Sequence, residues 1–151
     1  IYEWDNTTTS WTQKGSDIVG KAVNDNSGNS VSLSSDGLIV AIGAKYNDGN
    51  GTNSGHVRIY EYSGSSWTQK GSDIDAEAVT DNSGYSVSLS SDGNIVAIGA
   101  IFNDGNGTNS GHVGVYQTAK KILQHIPHYN PLGIFSISSL TLTKYGCPAN
   151  Q

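Results

Sequence analysis

Two loops carry the side chains best suited to holding a ligand. Asn47-Asp48-Gly49-Asn50-Gly51-Thr52-Asn53 is followed, further along the chain, by the same seven residues at Asn103–Asn109. Asn47, Asp48, Asn50 and Asn53, with their copies Asn103, Asp104, Asn106 and Asn109, offer clustered side-chain oxygens on glycine-rich backbone. Hard cations such as calcium take oxygen ligands of this kind. Each loop has a single carboxylate, Asp48 or Asp104, fewer than calcium sites usually gather. The competing reading is a polar connection whose Asn and Asp side chains bond their own backbone. Calcium is therefore the one ion these loops suggest, and no organic cofactor is expected.

Other chemistry is sparse. No Gly-x-Ser-x-Gly elbow occurs, and no acid, histidine and nucleophile set stands out, so a non-enzymatic protein is expected. Asp17, Asp73, Asp75 and Glu77 read as a solvated acidic face. His56 and His112 recur at one repeated position, which favours a structural role, and His125 and His128 lack a third metal ligand nearby. Cys147 is the only cysteine, which excludes an intrachain disulfide. Asn6-Thr7-Thr8, Asn50-Gly51-Thr52 and Asn106-Gly107-Thr108 match the N-glycosylation acceptor pattern at Asn6, Asn50 and Asn106. Trp11 and Trp67 share a repeated position, where a ring covering a sheet edge or stacking on a sugar are the two roles to weigh.

Charge narrows the partners. Residues 1–116 hold all 13 acidic residues against five Lys and Arg, a net charge of −8. Residues 117–151 hold three lysines and no acid. An acidic body argues against a nucleic-acid partner. Membrane insertion through a helix is not expected, because no apolar run approaches the roughly 18 residues required. The chain lacks Met and opens at Ile1 in what already reads as a strand, as if cut from something longer.

The elements that position these residues come in repeats. Trp11–Ile18 recurs at Trp67–Ile74, Ser30–Gly37 at Ser86–Gly93, and Ile39–Ala44 at Ile95–Ala100, always 56 residues on. Aligning 11–60 on 67–116 leaves 40 of 50 positions identical. Within a repeat, Ser30–Ser34 alternates polar and apolar, as a strand with one buried face does. Leu38–Ala44 is continuously apolar and too short for a typical helix, hence a strand buried on both faces. His56–Tyr62 alternates again, and Ser66–Lys70 is a short polar strand suited to an edge. Asp36-Gly37 between the first two strands predicts a hairpin turn. Four antiparallel strands per repeat is the pattern of a β-propeller blade.

The predicted fold is therefore all-β, a partial propeller of 56-residue four-stranded antiparallel blades. Residues 1–18 would supply the last two strands of a preceding blade and 19–74 a full blade. Residues 75–116 would form a second blade without its last strand. Residues 117–151, which contain all three prolines, break the pattern. That tail reads as a different module, as an extension, or as sequence wrongly joined to the repeats.

The strings Ser27-Gly28-Asn29-Ser30-Val31, Asp36-Gly37, Ile39-Val40-Ala41-Ile42-Gly43-Ala44 and Gly55-His56-Val57-Arg58-Ile59-Tyr60, with their copies at Ser83, Ile95 and Gly111, resemble an FG-GAP repeat. That is the repeat of integrin-α-like propellers and of secreted bacterial and algal surface proteins. Two departures stand out. Ser27 and Ser83 replace the family's Phe, and Ser35-Asp36-Gly37 is shorter than its calcium loop. The resemblance implies a propeller lacking that calcium site, placed outside the cell or on its surface. It also implies a role in adhesion or display, with a protein or glycan ligand.

A repeat lectin or calcium-dependent binder acting through the Asn-Asp-Gly loops is the alternative from another class. Incomplete blades at both ends further predict head-to-tail self-association, since open apolar faces and unpaired strand edges favour it.

Overall fold

The computed structural model of the chain describes residues 1–118. The expectations for the tail fall outside these residues, except that Gln117 ends a strand and Thr118 N donates to Asn94 O at 2.9 Å.

Every regular element among the described residues is a strand, and all paired strands are antiparallel. A hairpin, β1 (Tyr2–Asp5) with β2 (Ser10–Gln13), opens the chain. The first full sheet runs β3 (Ser27–Leu33), β4 (Ile39–Ala44), β5 (His56–Tyr62) and β6 (Trp67–Gln69) in chain order. A two-residue strand, β7 (Ile74–Asp75), then folds back to pair with β5. The second sheet repeats the order with β8 (Ser83–Leu89), β9 (Ile95–Ala100) and β10 (His112–Gln117).

Three details differ from the sequence expectation. β3 and β8 begin at Ser27 and Ser83, earlier than the alternating stretch suggests, because a bulge before Ser30 and Ser86 hides the alternation there. β4 starts at Ile39 and β6 spans only Trp67–Gln69. β7 has no counterpart in the expected plan.

The Asp-Gly turns form as predicted. Gly37 has φ 67° and Gly93 φ 68°, left-handed values that glycine adopts without steric cost. Gly37 N donates to Ser34 O at 3.0 Å, and the Asp36 carboxylate accepts from Ser34 Oγ at 2.6 Å and Leu38 N at 3.0 Å.

β4 is buried along its whole length because both faces are covered. The two sheets stack face to face. Ile39, Ala41, Val57 and Ile59 of the first pack against Val96 and Ile98 of the second, with Val87 and Leu89 beside them. Repeat-related serines and their neighbours stitch the sheets together. Ser30 Oγ donates to Gly84 O at 2.7 Å, Asn29 Nδ2 to Tyr85 O at 2.9 Å, and Ser35 N to Ser91 O at 2.9 Å. In the other direction Leu89 N donates to Ser32 Oγ at 2.9 Å. At Gly43 the backbones approach so closely that a Cβ would run into the Gly84 carbonyl. The Gly-Ala that ends β4 and the Ser-Gly opening β8 are thus the two sides of one contact.

Candidate functional site

The Asn-Asp-Gly loops bind their own backbone first. Asn47 is buried, its Nδ2 donates to Asp25 Oδ2 at 2.9 Å, and its Oδ1 accepts from Gly49 N at 2.9 Å. Asn103 repeats this with Asp81 at 2.9 Å and Gly105 N at 3.0 Å. Asp48 Oδ1 accepts from Asn53 N at 2.7 Å, and Asp104 Oδ1 from Asn109 N at 2.6 Å. Asn53 and Asn109 take left-handed φ values of 49° and 53° to allow it. One oxygen of each aspartate, Asn50 Oδ1 and the side chains of Asn53, Asn106 and Asn109 stay uncommitted within these loops among the described residues.

The first loop also grips the second blade. Asn50 Nδ2 donates to Ala76 O at 2.7 Å, and the Thr52, Asn53 and Ser54 carbonyls accept from Thr80, Asn82 and Ser83 N. Asn50, the middle glycosylation candidate, therefore has its amide engaged. Asn6 Oδ1 accepts from Trp4 Nε1 at 3.1 Å, and Asn106 stands on an exposed turn.

The repeated tryptophans have different surroundings. Trp67 packs on Tyr62 with ring centroids 5.2 Å apart and donates from Nε1 to Lys14 O at 2.8 Å. Trp11 lies mostly exposed, edge-on to Trp4.

A second cluster was not legible as a site. His56 opens β5, Asp73 follows β6, and Asp75 ends β7. Pairing of β7 with β5 sets His56 opposite Asp75. His56 Nδ1 lies 3.3 Å from Asp73 Oδ2 and 4.0 Å from Asp75 Oδ1. The ring is 1% exposed, and among the described residues neither nitrogen has a hydrogen-bond partner. Asp73 is only 13% exposed, which corrects its reading as part of a solvated face. Asp73 Oδ1 accepts from Gln69 Nε2 at 2.8 Å, and Lys21 Nζ sits 2.6 Å from Oδ2.

Charges follow from this placement. Burial pushes the His56 imidazole below its ordinary 6.5, and Asp73 opposes that only in part. Burial works to raise the Asp73 carboxyl, but hydrogen bonds from Lys21 and Gln69 outweigh it and hold it low. In return the Asp73 hydrogen bond raises Lys21. The signal that could reveal the cluster is the mismatch between repeats: Asp75 stands where the preceding copy has Val19. His112, the copy of His56, is half-buried and has Glu77 Oε2 at 3.7 Å in place of the aspartate pair.

One sheet with four antiparallel strands in chain order and a second with the first three of them, stacked face to face through repeat-equivalent residues, follow the pattern of propeller blades. The model of the FG-GAP repeat family matches residues 20–60 and 69–116, and the chain belongs to that family. No curated protein matches it.

Proposed function

We propose that this chain is a non-enzymatic propeller segment that works by presenting and joining blade faces, in adhesion or display at the cell surface. One observation supports the reading: among the described residues, both halves of the inter-blade interface are exposed. Val113 and Val115 are 66% and 67% exposed, whereas their first-blade equivalents Val57 and Ile59 are buried against the second blade. At the other end Val31 and Leu33 are exposed, whereas Val87 and Leu89 pack on the core. The two open faces are complementary because the repeat makes them so. Covering Val113, Val115 and Ile95 would add on the order of several kcal/mol.

The register of such a contact follows from the repeat. Tyr2 pairs with Gln13 in the opening hairpin as Tyr60 pairs with Gln69 in the first blade. Ile1–Trp4 thus holds the position that Ile59–Tyr62 holds one blade later and Val115–Thr118 two blades later. When a second copy docks in full register, its β1 yields to β10 of the first. Its β2 then adds to β10 as the fourth strand, with Gln117 opposite Thr12. A chain carrying Gln117→Cys, Thr12→Cys and Cys147→Ser should form disulfide-linked multimers under mild oxidation. Light scattering should show mass rising with concentration for the parent chain. A monomer throughout, with no cross-link, would refute the assembly.

A calcium or glycan role for the loops draws on the uncommitted groups at Asp48, Asn53, Asp104 and Asn109. A calcium titration that leaves the melting temperature unmoved, with no signal on a glycan array, removes it.

A further inference from the structure

We propose that His56, Asp73 and Asp75 form a binding site for a divalent transition-metal ion such as Zn2+. The site is independent of the blade-face assembly and distinct from the Asn-Asp-Gly loops.

The donor set comes first. One neutral imidazole nitrogen and two carboxylates suit zinc and its first-row neighbours, and catalytic or exchangeable zinc sites often use three protein ligands with water as the fourth. The three ligand atoms lie within 4.8 Å of one another. Bonds of about 2.0–2.2 Å place tetrahedral ligands about 3.4 Å apart. His56 Nδ1 and Asp73 Oδ2, at 3.3 Å, already stand at that spacing, and Asp75 Oδ1 at 4.0 Å needs only a small side-chain rotation.

The second observation is the orphaned imidazole. A buried polar group normally has a partner, and leaving it without one is costly. Among the described residues both His56 nitrogens lack one, and Nδ1 lies beside the two carboxylates. A metal would satisfy Nδ1. The route in is from the side of Asp75, which is 47% exposed.

Lys21 competes for the same place. Its ammonium is 2.6 Å from Asp73 Oδ2, yet its side chain is 53% exposed and can swing into solvent. Arg58 adds a further positive charge near His56. Together they set the affinity, since a divalent ion must displace one cation and tolerate another. The preceding repeat has Val19 in place of Asp75, and at the second blade His112 faces a single carboxylate among the described residues. Among the described residues the site therefore belongs to the first blade alone.

The test uses the full chain with His125→Gln, His128→Gln and Cys147→Ser, so that other donors do not confuse the count. Titration with Zn2+ alone, read by calorimetry and by the His56 ring signals in NMR, should give one ion per chain and a shifted His56 resonance. Asp75→Val copies the residue of the preceding repeat, and Asp75→Asn keeps the side-chain shape. Either should weaken binding at least about tenfold, the least that disturbing a metal's surroundings costs. Lys21→Gln should tighten it. Absence of one-to-one binding, an unmoved His56 signal, or unchanged affinity in either the Asp75 or the Lys21 variants overturns the proposal and leaves the cluster as a holder of the Lys21 ammonium.

Discussion

The residues with the most oxygen to offer are those the fold engages first. Asn47 and Asn103 are the right type for a ligand, but each lies buried and joins an aspartate from the preceding linker to the turn that follows it. The turn aspartates show the electrostatic consequence. Hydrogen bonds from Ser90 Oγ and from Asn94 hold the Asp92 carboxyl down to about 2, and Ser34 and Leu38 lower Asp36 in the same way. A carboxyl lowered on folding stabilises the protein above its unfolded value, 3.8 here, and that contribution is lost as pH falls through about 2. Melting temperature should therefore drop between pH 4 and 2. The double variant Asp36→Asn, Asp92→Asn should show a shallower drop in thermal melts. A curve parallel to the parent's would remove the two turns as its source.

Strands meet at a few points where only glycine fits. Gly43 in β4 touches Gly84 in β8, and a Cβ there would strike the Gly84 carbonyl, which is backbone, as well as the Ser30 hydroxyl. Gly43→Ala should cost about 2 kcal/mol through overpacking, seen as a lower denaturant midpoint. A change within a few tenths would mean the sheets slide apart at little cost. The strand plan itself was legible, because alternation at Ser30–Ser34 and the apolar run at Ile39–Ala44 fix which faces are buried. β7 was not, since two residues carry no periodicity. The His56 cluster stayed hidden for the same reason. His56 and Asp73 are far apart in sequence, and only the β5–β6 hairpin and the return of β7 unite them. The bulges before Ser30 and Ser86 likewise leave no trace in hydropathy.

At the scale of the whole molecule, Gly43 and Gly99 are the same repeat position in different company. Gly43 meets the next blade, whereas a Cβ on Gly99 would meet only Ser86 of its own sheet. Gly99→Ala should thus leave the monomer's stability nearer the parent's than Gly43→Ala does, yet abolish the concentration-dependent rise in mass. Unimpaired growth in light scattering would show that copies do not join in blade register.

The pairing of β1 with β2 has a kinetic consequence. Four residue pairs, Tyr2 with Gln13 through Asp5 with Ser10, must come apart before β2 can serve another chain. In the proposed assembly each chain would therefore carry its own stopper. Its removal is a unimolecular step whose rate does not depend on how many chains are present. Mixing alone would then start growth slowly, gentle warming would hasten it, and preformed ends would be extended by chains that have already opened. A freshly prepared solution and an aged one at equal concentration would differ in size, the mark of a system governed by its history rather than by equilibrium alone.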